Sequence, residues 1–148
     1  PLLYLEPFVR AGATRVVFHI ESCDDAALVI ARARSLGVGV GVALNPPTPV
    51  AAVESLIRTV DSVLLMTVYP GYYGAPFVPE VMDKVSKVRA LRPEVEIGVD
   101  GGVKETNLRE VVGFGVDSVC VGSAVFAQPD PAASYARLSD LASAMASH

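Results

Sequence analysis

The sequence is poor in cysteine and in charged residues. Cys23 and Cys120 are the only cysteines among 148 residues, which is too few for a disulfide framework or a cysteine-based zinc site. We therefore expect a reducing, cytoplasmic environment. Charged residues make up 19% of the chain and the formal net charge is -4. Because nucleic-acid-binding domains carry clustered positive charge, we expect no nucleic-acid partner.

Long apolar runs are missing as well, although 51% of the residues are hydrophobic. No uninterrupted run approaches the ~20 apolar residues of a membrane-spanning helix, so we expect no membrane segment. The start of the chain, Pro1–Glu6, has neither a basic region nor a cleavage signal, so no targeting peptide is expected. The apolar excess is instead typical of parallel strands that are buried on both faces.

Short apolar segments alternate with amphipathic patterns along the chain. They predict five strands, at 16–20, 38–44, 63–68, 97–100 and 119–121. Helical spacing of apolar residues predicts helices at 2–11, 26–36, 50–60, 78–91, 108–115 and 131–145, with Thr48 capping the third and Asp130 the last. This alternation implies parallel strands joined by right-handed crossovers, hence a single-domain α/β fold. Five strands could form an open sheet or part of an eight-stranded barrel. No GxGxxG motif follows the first strand, so a dinucleotide-binding sheet has little support.

Asp100 ends the fourth predicted strand and is followed directly by Gly101 and Gly102. A carboxylate at the end of a buried strand is costly unless a metal ion, a hydrogen-bond network or a proton-transfer role compensates it. The alternative is that Asp100 only caps the following helix through an Asx-type turn. The segment alone supports both interpretations equally.

Three predicted loops at the carboxyl ends of strands are rich in glycine or small polar residues: 70–74, 100–102 and 122–124. Backbone N–H groups beside a helix start can hold an anion without a basic side chain. A phosphate between the last two loops of a barrel is a recurrent use of that geometry. Together the three loops favour a phosphorylated ligand.

Three segments, Met66–Gly74, Val99–Val103 and Val121–Phe126, resemble the ribulose-phosphate 3-epimerase family. Phe18–Glu21 and Gly41–Pro49 also match that family, so the resemblance covers nearly the whole chain in the family's order. It implies a (β/α)8 TIM barrel in which residues 1–148 supply strands four to eight. The chain would then be an N-terminally incomplete barrel of five β/α units that lacks the first three.

The resemblance also implies an activity, the epimerisation of ribulose 5-phosphate to xylulose 5-phosphate at carbon 3 through an enediolate. Two aspartates on opposite faces and a divalent metal ion (Zn, Fe, Mn or Co) take part, and Asp100 matches one of these aspartates as both catalytic residue and metal ligand. The residues that match the family's substrate contacts are Met66, Gly71, Tyr72, Tyr73, Gly74, Gly101, Gly102, Gly122 and Ser123. Met66 is equally compatible with ordinary core packing.

Two departures from the family pattern matter. Tyr73 replaces a glycine and Ala75 a glutamine, which keeps an allulose-6-phosphate 3-epimerase open as an alternative. The family's early strands supply a serine, a His-x-Asp pair and a further histidine, and none of these is present here. We expect His19 to face the core with Glu21 nearby; the alternative is that His19 is a metal ligand. Asp100 alone cannot hold a catalytic metal, because such sites normally take about three protein ligands.

The leading hypothesis is therefore the carboxyl-terminal part of an isomerase that acts on a phosphorylated ketose and needs its missing strands for catalysis. A second hypothesis is a complete, non-catalytic phosphate-binding module whose sheet edges are covered by another copy or another chain. A hexulose-phosphate lyase is a third hypothesis. A homo-oligomer remains open in each case.

Overall fold

The computed structural model describes residues 1–71 and 74–146, with all their side chains except those of residues 145 and 146. Five parallel strands form one sheet in sequence order, which confirms the predicted α/β fold. The strands are β1 (Arg15–His19), β2 (Gly39–Leu44), β3 (Ser62–Met66), β4 (Glu96–Asp100) and β5 (Ser118–Cys120).

Helices connect the strands, except between β2 and β3, and pack on the side of the sheet that carries the hydrophobic core. They are α1 (Leu2–Arg10), α2 (Ala26–Ser35), α3 (Asp83–Leu91), α4 (Leu108–Gly113), α5 (Ser123–Phe126) and α6 (Pro131–Ala146). The predicted Asp130 cap is confirmed, because its Oδ1 accepts a hydrogen bond from the backbone N–H of Ala133 at 2.9 Å. None of the described helices combines the length and the apolar character that crossing a membrane requires.

The helix predicted at 50–60 is wrong. A short 3-10 helix at Val50–Val53 is followed by turns, and Thr48 is not its N-cap. The predicted apolar positions are nevertheless buried, because Val53 and Val60 are at most 1% exposed. Arg92 Nη1 donates hydrogen bonds to the carbonyl oxygens of Ile57 at 3.0 Å and Val60 at 2.7 Å. A side chain thus satisfies carbonyls at the end of this segment.

Alternate strand residues build the hydrophobic core against the helices. The fully buried side chains of this face include Val40, Val42, Leu44, Val63, Leu65, Ile97 and Val99. We call the opposite side of the sheet the inner face; it consists of residues 15, 17, 19, 39, 41, 43, 62, 64, 66, 96, 98, 100, 118 and 120. Strand β2 is buried on both faces as predicted, whereas β1 and β5 expose inner-face residues such as Val17 and Cys120.

The amino ends of the strands are fixed by an Asp-Ser-Val motif that occurs at 61–63 and again at 117–119. The Asp61 carboxylate accepts the backbone N–H of Val40 at 2.8 Å and pairs with Arg34 of α2. The Asp117 carboxylate repeats this arrangement with Ile97 and with Arg89 of α3. Because each aspartate bridges a strand and a helix, the motif sets the register at the edge opposite to the strands' carboxyl ends.

Candidate active site

Asp100 is the last residue of β4 and lies on the inner face at the carboxyl edge of the sheet. Its register partners are Met66 on β3 and Cys120 on β5, so two sulfur-containing side chains flank the carboxylate on the same face. Asp100 is partly exposed, and its side chain makes no hydrogen bond with another described residue. Within the described part of the chain, no hydrogen bond therefore competes with a ligand for this carboxylate.

The electrostatic surroundings of Asp100 favour its protonated form. Desolvation by burial raises the pKa of this carboxyl above its ordinary value, and the electrostatic interaction with His19 opposes the rise. A raised pKa brings a carboxylic acid closer to the range in which it can exchange protons with a substrate. The alternative role as a helix cap is not observed, because Asn107 precedes α4 and its Oδ1 accepts the N–H of Lys104 at 2.7 Å.

The loops that follow β3 and β4 are joined directly. The Thr67 hydroxyl donates to the carbonyl oxygen of Gly101 at 2.6 Å, and the backbone N–H of Thr67 donates to the carbonyl oxygen of Asp100 at 2.8 Å. The Thr67 carbonyl accepts the N–H of Val78 at 2.8 Å, which returns the first loop to the sheet edge. Two of the three predicted loops therefore form one connected rim.

Gly101 and Gly102 adopt φ values of +118° and +66°, in the region that favours glycine. A Cβ atom on Gly101 would lie 2.5 Å from Cγ2 of Val68, and one on Gly102 would lie 3.0 Å from the Cα of Phe77. Both glycines are therefore required by the close approach of the two loops, whether or not a ligand binds their main chain.

The third loop follows β5 beside the Asp100 loop, because Asp100 and Cys120 are register partners. Gly122 precedes the short helix α5, and Ser123 begins it. The backbone N–H groups of Gly101, Gly102, Ser123 and Ala124 donate no hydrogen bond to any other described residue. Neighbouring unbonded N–H groups of this kind can bind an anion.

The loop at 70–74 is described in part. Gly71 and Gly74 are exposed at the carboxyl edge, whereas the predicted contacts Tyr72 and Tyr73 lie outside the described residues. Ala75, which stands where the resembling family has glutamine, is buried with 6% exposure. At this position the chain presents no polar side chain to a ligand.

Met66 lies outside the hydrophobic core of the described residues and is partly exposed on the inner face. Met66 therefore does not pack in the core, and its role in substrate binding stays a prediction. His19, at the end of β1, lies with Nδ1 3.3 Å from Oε2 of Glu21, and 40% of its side chain is exposed. The expected proximity of Glu21 is thus observed, whereas the expected orientation toward the core is wrong, because His19 lies on the inner face and outside the hydrophobic core of the described residues.

A metal site cannot be assembled from the described part of the chain. No group of three or more His, Cys, Asp and Glu side chains there could hold a metal ion. Asp100 offers a single carboxylate, whereas catalytic sites normally take about three protein ligands. The described residues alone therefore do not fit a catalytic metal.

Sequence reasoning missed three features around the site. Cys120 is the register partner of Asp100 on the neighbouring strand. The only sequence signal for this position is the alternation of side chains along β5. Thr67 is completely buried and connects two loops. Glu21 and Lys84 both contact the turn after β2, and they lie in separate segments without any local pattern that joins them.

The family model and the individual relatives that match this sequence indicate the same family. The sequence model of the Ribulose-phosphate 3 epimerase family matches residues 1–126. The ribulose-phosphate 3-epimerase of Mycobacterium tuberculosis is 36% identical over 155 aligned positions, which cover 100% of this chain and 66% of the relative. The ribulose-phosphate 3-epimerase of Escherichia coli strain K12 is 35% identical over 127 positions, which cover 83% of this chain and 56% of the relative. The chain thus spans about two thirds or less of these relatives.

Among solved structures, the 3-hexulose-6-phosphate synthase from Salmonella typhimurium superposes with a TM-score of 0.75. The match has 22% sequence identity and covers 97% of this chain and 68% of that structure. At this level of sequence identity the similarity shows the fold alone. That fold is a partial α/β barrel, as predicted.

Proposed function

Because this chain belongs to the ribulose-phosphate 3-epimerase family, we propose that the protein is an isomerase that converts ribulose 5-phosphate to xylulose 5-phosphate. The observation that carries the proposal is the position of Asp100. Its carboxylate lies at the carboxyl edge of a parallel sheet, without a hydrogen-bond partner among the described residues and beside Met66. Active sites of barrel enzymes lie at this edge.

In the proposed reaction Asp100 acts as one of two acid/base groups. As a base it accepts the proton from carbon 3, and the electrons of the broken C–H bond move to the carbonyl oxygen and form an enediolate. A second group on the opposite face then returns a proton to carbon 3 and inverts the configuration. The described residues do not include this second group, so we propose that it belongs to a strand outside these 148 residues.

The same reasoning applies to a divalent metal ion. Asp100 is proposed as one ligand, and the others would have to come from strands outside these residues. Since the described residues do not form a metal site, we assign no step of the reaction to a metal ion.

The substrate phosphate is proposed to bind between the loops that follow β4 and β5. The unbonded N–H groups of Gly101, Gly102, Ser123 and Ala124 support this position, because main-chain amides can hold a phosphate without a basic side chain. Gly71, Tyr72, Tyr73, Gly74 and Gly122 are proposed to complete the substrate contacts.

The domain proposal follows from the same comparison. Residues 1–148 are proposed to form the last five β/α units of an eight-unit barrel, which typically needs ~250 residues. The unpaired thiols of Cys23 and Cys120 support a cytoplasmic location. We also propose that the protein can form a homo-oligomer.

The test is an exchange experiment with the whole protein in heavy water. We expect deuterium to enter carbon 3 of ribulose 5-phosphate and xylulose 5-phosphate to accumulate, both followed by NMR. Faster exchange with allulose 6-phosphate would favour the hexulose-phosphate alternative. Aldol cleavage would favour a lyase, and phosphate binding without exchange would reject the enzyme in favour of a binding module.

A further inference from the structure

The turn that follows β2, residues 45–49, has the sequence Asn-Pro-Pro-Thr-Pro. Its three prolines have no N–H group, so Asn45 and Thr48 supply all the backbone donors. The Asn45 N–H donates to Oε1 of Glu21 at 2.8 Å, and the Thr48 N–H donates to the Asn45 carbonyl at 3.1 Å. The Thr48 hydroxyl also donates to Oε1 of Glu21. One carboxylate therefore holds both ends of the turn.

Lys84 holds the same turn from the other side. Its Nζ, near the start of α3, donates to the carbonyl oxygens of Asn45 at 3.0 Å, Pro46 at 2.8 Å and Thr48 at 2.7 Å. An ammonium group has three hydrogens, so these bonds use its full donor capacity. A single cation thereby binds three carbonyls of the turn, and those of Pro46 and Thr48 accept no backbone N–H from another described residue.

The two side chains also interact electrostatically across the turn. Burial lowers the pKa of Lys84, and the nearby Glu21 charge opposes that decrease. Burial alone would raise the pKa of Glu21, but the hydrogen bonds from Thr48 and Asn45 outweigh it and the pKa is lowered. We call Glu21, Lys84 and the turn between them the clamp.

The clamp lies at the carboxyl edge of the sheet, where the candidate active site is. Asn45 lines a cavity of about 590 Å³ together with His19 and Pro70. Pro46 lines a second cavity with Tyr69 and Phe77. Phe77 is also the residue against which Gly102 packs. The turn therefore faces the loop that follows β3 across these two cavities, and that loop adjoins the Asp100 loop.

We propose that Lys84 and Glu21 are positioning residues for the proposed epimerase: they join the turn at 45–49 to the start of α3, and this junction positions the loop after β3, which leads into α3, to receive the sugar phosphate. This inference rests on the proposed function. Neither side chain is expected to touch the reacting carbon, because each is occupied by the turn.

The experiment uses Lys84→Met in the whole protein, with Lys87→Met as the matched control, because Lys87 is an exposed lysine on the same helix. Lys84→Met keeps the apolar stem and removes all three donors. We expect KM for ribulose 5-phosphate to rise about tenfold while kcat changes less than about twofold, because the clamp affects binding and leaves Asp100 untouched. We expect Lys84→Arg to recover much of the affinity, since guanidinium also donates to carbonyls.

Amide hydrogen exchange gives an independent readout of the clamp. Exchange of the two amides of the turn, those of Asn45 and Thr48, should be faster in Lys84→Met and in Glu21→Ala, and unchanged in Lys87→Met. Unchanged exchange at the turn, or a fall in kcat at constant KM, would overturn the inference. If the wild-type protein proves inactive, the proposed function fails, while the exchange data still decide whether the clamp fixes the turn.

Discussion

The hydroxyl group of Thr67 lies 2.6 Å from the carbonyl oxygen of Gly101, and the threonine side chain is completely buried. This hydrogen bond joins the end of β3 to the residue that follows Asp100. The bond is partly buried, so the Gly101 carbonyl would lose a partner that water replaces only incompletely. The bond therefore helps to fix the backbone next to the candidate catalytic residue.

Thr67→Val should therefore destabilise the protein although it preserves the shape of the side chain. We expect the free energy of unfolding to fall by about 1–3 kcal/mol, measured by urea denaturation. Thr67→Ser retains the hydroxyl and loses a methyl group, so it should cost about 1 kcal/mol or less. A Thr67→Val protein as stable as the wild type would show that the Gly101 carbonyl finds another partner.

Asp100→Asn removes the proposed proton acceptor and leaves a side chain of nearly equal size. We expect kcat for epimerisation to fall by about 10²–10⁴-fold, the usual contribution of a general acid or base. Glu96→Gln is the control, because Glu96 lies at the other end of the same strand and pairs with Arg15 at 2.7 Å. Undiminished turnover in Asp100→Asn would exclude the proposed role.

Part of this arrangement is predictable from sequence, because alternation and strand ends are local properties. The position of Asp100 at the end of a buried strand follows from the apolar residues before it and the glycines after it. The helix predicted at 50–60 is wrong because the spacing of apolar residues indicates only which side chains are buried. It does not indicate that Arg92 donates hydrogen bonds to the carbonyls of Ile57 and Val60. The pattern predicts burial correctly and backbone conformation incorrectly.

Contacts between distant segments are beyond such reasoning. Glu21, Thr48 and Lys84 belong to three different units of the chain, and only the folded sheet brings them together. Cys120 likewise lies beside Asp100 only because β4 and β5 pair in this register in the folded sheet. Sequence reasoning therefore locates the residues at strand ends and misses the groups that hold them in place.

The ion pair of Asp61 with Arg34 should make stability depend on pH. The Arg34 hydrogen bonds lower the pKa of Asp61, burial opposes this, and the Val40 N–H adds to the lowering. A lowered pKa in the folded state contributes stability above the unfolded pKa of about 4, and this stability is lost as the pH falls through the folded value. Asp61→Asn should therefore remove part of the acid sensitivity.

The measurement is urea denaturation of wild type and Asp61→Asn at several pH values from about 3 to about 7. The stability difference should be largest near neutrality and should shrink on acidification. Asp24→Asn is a suitable control, because Asp24 is exposed and has no ion pair among the described residues. A stability difference that does not depend on pH would contradict the assignment of the lowered pKa to Asp61.

Gly101→Ala tests whether the main chain after Asp100 depends on glycine. Its φ of +118° disfavours any side chain, and an added Cβ would lie 2.5 Å from Cγ2 of Val68. We expect the free energy of unfolding to fall by about 2–5 kcal/mol, from backbone strain and overpacking together. Gly113→Ala is the control, because Gly113 lies in α4 with no atom within 4 Å of an added Cβ; it should stabilise the helix by up to about 1 kcal/mol.

A double-mutant cycle with Val68→Ala separates the two contributions to the Gly101→Ala cost. Removing the Val68 methyl groups relieves the overpacking and leaves the positive φ unchanged, so Gly101→Ala should cost about 1–3 kcal/mol less in the Val68→Ala background. A cycle that closes with no coupling energy would mean that the loops after β3 and β4 move apart to accept the alanine. In that case the rim around Asp100 would be pliable, and its glycines could not fix the main-chain amides proposed to bind the substrate phosphate.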